Sequence, residues 1–568
     1  MKKALCILLS ALIVFSALPL LSSASDASLS FLVATDLHYA QTPDEVTVKY
    51  PDEKYYCAYD VGTLPSESNA IIRQFLREAS DSDARFLLLC GDLTENGTME
   101  QHRDMAAMLA EFERSTGKRV FVIDGNHDFH GGISAQDFKT VYAPVSYDEA
   151  LAVDPDSCSY TAELDDRYRL LAFDTCRYGY GEDGVTEERL AWAREQAEIA
   201  EKNGKTLIVI MHHSFLEHIQ SMSLLLPAFI IRSSVNMKEH LLNWGVRYAF
   251  SGHFHGQDIA SYTDAANRTI YDIMTTSLCA YPCGYRTCKL TEEGLQIDSK
   301  YIQGVDAADL PQSGYTDELL GELTGDLNTF ADGCFRVAFD LKKERFFGKD
   351  YMGNVFARIG GEPLKNLVDT CYPKFYENLN LPIYQKDAGD GESLQAIGEK
   401  LGLQFRTTES KTVWDCLYYF VKVMYCGDEN VPYDDDEIVL FMQCVYSALY
   451  DAMRSVNTDL RKELLADIHG QFKQAALPFA VTGAARVALG AVGDERLLET
   501  VLLMMAPIIE MFSVDDDTPD GSAFLPAKSD ELPFIVLFRQ TMNQIIRFVR
   551  RFILGVFSIY FPQQIRLA

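Results

Sequence analysis

The sequence predicts an α/β protein over its first half and a mainly α-helical region over its second. Three observations lead there. From Ser30 to about Ile302, short apolar and β-branched runs alternate with amphipathic stretches. Near Gly304–Gly314 the texture changes, and beyond it long helical patterns take over. At 568 residues, 48% hydrophobic and 23% charged, the chain is long enough for several domains and apolar enough for a packed core.

The expected strands are Phe31–Thr35, Arg85–Cys90, Arg119–Ile123, Arg169–Phe173, Thr206–Met211, Arg247–Ser251, Thr269–Met274 and Leu295–Ile302. Helices are expected between several of them, at Ser66–Ala79, Met99–Ser115 and Glu187–Asn203. Beyond the boundary, helical patterns cover Thr316–Phe330, Val413–Tyr425, Glu437–Val456 and Leu460–Ala476. The organisation that follows is a signal peptide at 1–24, an α/β domain at 30–303, a helical domain at 315–530 without an assignable motif, and a basic amphipathic helix at 532–568.

The first residues read as an export signal. Lys2 and Lys3 precede the uncharged apolar stretch Ala4–Leu21, and Ser22 and Ala24 are placed for a cut after Ala24. An uncleaved membrane anchor is the alternative, because the apolar run is nearly long enough to span. The expected location is secreted or in the cell envelope. The 13 cysteines have irregular spacings and no paired CxxC, so free buried thiols are expected.

Charge narrows the partners. The 82 acidic residues against 51 Lys and Arg give −31. Such a surface repels polyanions, so no nucleic-acid-binding module is expected. Phosphate substrates remain open, since bound metal ions can dominate a local field.

The chemistry sits at strand ends. Asp36-Leu37-His38 follows the first strand, Gly91-Asp92 the second, and Gly125-Asn126-His127-Asp128 the third. Met211-His212-His213 follows Thr206–Met211, and Gly252-His253-Phe254-His255 follows Arg247–Ser251. In α/β sheets ligands gather at the carboxyl ends of strands. Five ends therefore deliver carboxylates, an amide and imidazoles to one edge, a mixture that suits Mn, Fe or Zn.

The blocks D-x-H, G-D, G-N-H-[DE], H and G-H-x-H resemble those of the calcineurin-like metallophosphoesterase family, over roughly Ser30 to Ile302. The resemblance implies a four-layer α/β/β/α sandwich with two divalent ions (Mn, Fe or Zn). It implies that Asp36, His38 and His255 bind one ion and that Asn126, His212 and His253 bind the other. Asp92 would bridge them. It further implies that His127 contacts the substrate phosphate as the catalytic acid, held by Asp128. The adjacent His213 leaves the choice of His212 less secure. The implied activity is hydrolysis of a phosphate ester, a diester favoured over a monoester, by metal-bound hydroxide. Purple acid phosphatases and Ser/Thr protein phosphatases fit less well: His38 and Glu95 replace the Gly and Tyr of the first, and Asn96 the phosphate-clamping Arg of the second. Small bacterial phosphodiesterases of the family are closer in pattern. A noncatalytic metal-binding cell-surface protein that retains the fold is the alternative function.

Three other stretches carry expectations. The Tyr-rich segment after His38 (Tyr39, Tyr50, Tyr55, Tyr56 and Tyr59) either walls the pocket or is a packed insertion. Met222–Ile231 is strongly apolar and is either a buried helix or a hydrophobic lip. From Leu532 onward there is no acid and there are five Arg, with Arg539, Arg547, Arg550 and Arg551 on one helical face. That helix can meet an anionic membrane peripherally or cap the helical domain. His130 and His218 are expected at the surface.

Overall fold

The computed structural model describes residues 28–40, 47–48, 54–55, 57–58, 62–219, 222–311, 314–427, 431, 435–456 and 520–527. The expected signal peptide, the helix at Leu460–Ala476, and the basic segment 532–568 lie outside these residues. Among the described residues no helix is long and apolar enough to cross a membrane.

Two mixed sheets face each other. The strands of the first are β1 (Leu29–Ala34), β2 (Phe86–Cys90), β3 (Arg119–Ile123), and three later strands named below. The second contains β4 (Ala150–Val153), β5 (Tyr160–Glu163), β6 (Tyr168–Ala172), β7 (Thr206–Ile210), β8 (Tyr248–Ser251), β9 (Asp258–Thr263) and β10 (Thr269–Met274). β11 (Gly284–Leu290), β12 (Gly294–Tyr301) and a late strand, β13 (Ser522–Pro526), complete the first sheet in the order β13-β12-β11-β1-β2-β3. The second runs β9-β10-β8-β7-β6-β5-β4. In each sheet the central strands are parallel: β1 with β2 and β2 with β3, and β6 with β7, β7 with β8 and β8 with β10.

The apolar runs are continuous because these strands are buried on both faces. Along β6 and β7, Leu170, Ala172, Ile208 and Ile210 join the core between the sheets. Their alternates Leu171, Leu207 and Val209 face a second cluster with Leu190, Ala193 and Leu241 from the outer helices α3 (Glu187–Lys202) and α4 (Met237–Asn243). Across the sandwich Phe31 of β1 meets Phe250 of β8, ring centroids 5.7 Å apart. Helices α1 (Ser68–Asp81) and α2 (Met99–Thr116) cover the other side. Thr98 caps the start of α2 by accepting from Gln101 N–H, and Gly117, at φ 71°, closes it. The four-layer α/β/β/α sandwich is therefore the fold.

The helical region begins with α5 (Asp317–Gly325) and α6 (Leu327–Leu341), where the sequence suggested one helix. Asp326 divides them, its side chain accepting from Thr329 N–H at the start of α6. α7 (Lys349–Leu379) was not expected, because Gly360, Gly361 and Pro363 break its pattern; its backbone leaves the helical region at Gly361, φ 75°. α8 (Val413–Cys426) and α9 (Asp436–Ser455) match their expected ranges closely. The core is continuous between the sandwich and these helices: Tyr281 stacks on Phe335 of α6 at 5.7 Å. β13, from beyond the helices, pairs with β12 from Gly294↔Pro526 to Asp298↔Ser522, so the first sheet is completed from the far end of the chain. The buried Arg286 fixes it, donating to Asp520 O at 2.7 Å.

Two tyrosines of the Tyr-rich segment are described, and both touch helices. Tyr39 is buried, its hydroxyl donating to Asp104 of α2, and Tyr55 meets Phe330 of α6. Tyr50, Tyr56 and Tyr59 lie outside the described residues. Eleven of the described cysteines are free, all but Cys426 buried.

His218 corrects the sequence expectation: it is 3% exposed, not a surface residue. Its Nδ1 lies 2.5 Å from Asp258 and its Nε2 3.3 Å from Asp272. Burial disfavours its charge, but the two carboxylates, Asp272 foremost, raise its pKa from 6.5 to about 10. A raised histidine pKa gives stability that is full below pH 6.5 and is lost as pH rises through about 10. His218→Leu should therefore cost about 3–5 kcal/mol at neutral pH, since it strands two buried carboxylates. The wild-type thermal midpoint should fall toward that of the variant between pH 8 and 10; parallel pH profiles would refute the pairing.

Candidate metal centre

The parallel strands of both sheets end at one edge. Asp36 and His38 follow β1, Asp92 follows β2, Asn126 and His127 follow β3, His212 follows β7, and His253 and His255 follow β8. Backbone bonds extend the ladders past the strands. Asp36 N–H donates to Gly91 O and His38 N–H to Asp92 O, both at 3.0 Å, and Gly252 N–H to His212 O at 2.9 Å. The motif residues are thus indexed to one another by main chain before any side chain acts.

Five of the seven expected ligands have left-handed backbone: Asp36 (φ 51°), His38 (46°), Asp92 (47°), His253 (68°) and His255 (63°). Each such residue costs about 1–3 kcal/mol and persists only where its surroundings enforce it. The motif glycines make the packing feasible. A Cβ on Gly125 would collide with the backbone nitrogen and carboxylate of Asp92, and one on Gly252 with the Thr35 hydroxyl and Asp36 carboxylate.

Two donor sets result. In the first, His255 Nε2 lies 3.1 Å from His38 Nε2 and 3.4 Å from Asp36 Oδ1, and His38 Nε2 lies 3.9 Å from both Asp36 and Asp92. In the second, His212 Nε2 lies 3.3 Å from Asp92 Oδ2 and 3.1 Å from Asn126 Oδ1, with His253 completing the group. Asp92 belongs to both. All of these side chains but that of His253 are at least nine-tenths buried.

The imidazoles are oriented from behind. His38 Nδ1 lies 2.8 Å from Glu95, His212 Nδ1 2.9 Å from Cys90 O, and His253 Nε2 3.2 Å from Ala228 O. A ring that donates one N–H outward presents a lone pair on its other nitrogen, which is how metal-binding histidines are held. His213 does not share this arrangement: Nδ1 lies 3.0 Å from Thr175 Oγ1 and Nε2 3.1 Å from Gly181 O. Both of its nitrogens are engaged elsewhere, which separates it from His212.

Charge is concentrated here. Burial opposes ionisation of Asp36, yet the imidazoles of His255 and His212 hold its carboxyl at about 2. Burial likewise opposes charge on His38 and His212, but Glu95 raises the first to about 9 and Asp92 the second to about 10. Desolvation, with the charge on His212, lowers His253 to about 3. Two protonated imidazoles therefore balance the carboxylates, a role that cations can take over. The nitrogen and oxygen donors present fit divalent ions of the Mn, Fe or Zn kind.

His127 is half-buried beside the first set, its ring 4.8 Å from that of His38. Its backbone N–H donates to Asp92 Oδ1 at 2.8 Å, and its Nδ1 lies 2.9 Å from Glu95 O. Asp128 corrects the sequence expectation, because it does not hold this ring. Its carboxylate accepts from Leu93, Thr94 and Gly125 N–H and from the Thr94 hydroxyl, at 2.9–3.2 Å. It staples the turn after β2 to the turn after β3. His130 is exposed as expected, its ring centroid 4.4 Å from that of His127 and tilted 50° to it.

Two supporting residues escaped the sequence reading. Glu95 backs His38; its signal was its place in the Gly91–Gly97 block, noted only as a difference from other phosphatases. Asp272 accepts from Phe215 and Leu216 N–H at 2.7 and 3.0 Å and so fixes the loop after His212. Nothing local in the sequence marks it.

A model of the calcineurin-like phosphoesterase family matches residues 29–257. No curated protein matches the chain. Among solved structures, a dimetal phosphatase from Danio rerio is similar at 12% identity and TM-score 0.36, over 48% of this chain and 96% of that one. GAP50, the anchor in the inner membrane complex of Plasmodium, is similar at 12% and 0.30, over 51% and 97%. A purple acid phosphatase from yellow lupin (Lupinus luteus) seeds is similar at 11% and 0.34, over 51% and 58%. These are distant likenesses. Taken with its five motif blocks, the family match identifies residues 29–257 of this chain as a calcineurin-like phosphoesterase domain.

Proposed function

We propose that this chain hydrolyses phosphate esters, diesters in preference to monoesters, with two divalent ions held one in each donor set and bridged by Asp92. The observation that carries this is the orientation of His38, His212 and His253, each tied from behind and turned inward. When bound, such ions supply Lewis acidity toward the phosphoryl oxygens and an acidified water as nucleophile. The chain's own residues do the rest. Asp36, His38 and His255 hold one position, Asn126, His212 and His253 the other, and their burial keeps bulk water from competing. His127 has its Nδ1 occupied by Glu95 O, so Nε2 is the atom that gives a proton to the leaving oxygen. Asn96 stands where an Arg would clamp a dianionic monoester, which favours the singly charged diester.

The Lys2-Lys3 start and the apolar stretch after it support export. The Arg-striped segment 532–568 supports peripheral contact with anionic lipid. Co-sedimentation of the full chain with anionic vesicles, falling as salt rises, is the expected result; binding indifferent to salt, or none, would remove the membrane contact.

Elemental analysis of purified Asp92→Ala should show loss of most of both ions, because that carboxylate serves both sets; full occupancy would overturn the bridge. His127→Ala should keep its ions and lose turnover by about 10²–10⁴-fold on esters with poor leaving groups. The loss should shrink with good leaving groups, and an equal loss for both would exclude the acid role. Metal uptake should also be pH-dependent. His38 and His212 must give up protons held to about pH 9 and 10, so affinity falls as pH falls. At pH 7 uptake should release on the order of two protons per chain, measurable with a pH indicator in weak buffer. Release of none would mean that these imidazoles are not ligands.

A further inference from the structure

The segment Met222–Ile231 is neither a single buried helix nor a loose loop. It forms one helical turn at Met222–Leu225 and a 3-10 turn at Pro227–Phe229, and residues 226–229 are at least partly exposed. Its far end is clamped. Ile230 bridges Ser214, Ile231 N–H donates to Ser214 O at 2.8 Å, and Ser214 Oγ lies 3.1 Å from Ser251 Oγ on β8. Its tip is indexed to the donor set, because Ala228 O meets His253 Nε2. Next to that contact the Phe229 ring lies 5.2 Å from the His253 ring, at 39°. Phe254 backs it edge-on at 5.2 Å, and Phe254 in turn meets Tyr425 of α8 at 6.2 Å. Main chain fixes this wall to the helical region, with Gln257 N–H donating to Met424 O at 3.3 Å.

A half-buried phenyl ring, fixed beside a metal-ligand histidine and backed by two buried aromatics, is a preformed apolar surface at the edge of the centre. The chemistry around it is otherwise ionic, and the ion-pair partners of Asp36 and Asp92 are all imidazoles. An aromatic or flat apolar substituent on phosphorus can stack on this ring at small entropic cost, since the ring is already placed.

We infer that Phe229 is a specificity-determining residue, and that the substrate class is phosphate esters carrying an aromatic or flat apolar group that packs against it. This rests on the proposed phosphoester chemistry for the word substrate, but its test does not require turnover. Titration calorimetry of the full chain loaded with Mn, using phenylphosphonate and methylphosphonate, isolates the ring contact, because both ligands present the same phosphonyl group. The wild type should bind the phenyl ligand about 3- to 10-fold more tightly. Phe229→Ala should bring that ratio close to one, whereas Phe229→Trp should keep it. A second arm compares hydrolysis of phenyl p-nitrophenyl phosphate and methyl p-nitrophenyl phosphate, which share a leaving group. Discrimination in binding without hydrolysis would retain the subsite and sink the hydrolase reading. Equal affinities in the wild type would overturn the subsite. So would a Phe229→Ala variant that keeps the ratio, or one that loses both ligands together with its metal, for the loop would then only support His253.

Discussion

A single buried carboxylate imposes order on the rest of this molecule. Asp92 is 1% exposed and sits on left-handed backbone between two groups of imidazoles. A lone charge taken out of water at such a position costs several kcal/mol, so its surroundings must supply compensation. They do so from every side: His212 at 3.3 Å, the His127 N–H at 2.8 Å, and His38 at 3.9 Å. Gly125 has no side chain because Asp92 occupies the space one would need. Asp128, itself buried, spends its carboxylate on the two turns that meet at Asp92. The same charge that makes the site costly to fold gives it its affinity for cations.

That centre is supported by parts of the chain far from it in sequence. Asp272 at the heart of β10 fixes the loop after His212, and His218 neutralises it. The end of α8 abuts the segment after His255, and Gly427 there passes so close to Gln257 O that a Cβ would stand 2.7 Å away. β13 closes the edge of the sheet that carries β1 and β2. The helical region and the sandwich therefore share one core, and the helices buttress the edge where the donors converge.

How far the sequence could be read follows from where each interaction is encoded. The parallel central strands were legible because both of their faces are buried, which writes a continuous apolar run. The site was legible because its donors directly follow those runs. β9 and β11 read DIASYT and GYRTCKL, half polar, and escaped notice because their pairing comes from neighbours rather than composition. β13 is five residues long and ends in Pro, and only its partner β12 makes it a strand. His218 carried no sign of burial, since Asp258 and Asp272 reach it from distant strands. Asp128 was misassigned because the family resemblance implied a partnership with His127 that the turn geometry does not make.

The account stands on Asp92 joining two ions. A crystal of the Mn-loaded protein, with anomalous difference density recorded, tests this most directly. Two peaks are predicted, one among Asp36, His38 and His255 and one among Asn126, His212 and His253, both within reach of the Asp92 carboxylate. A single peak, or density that does not touch Asp92, would contradict it.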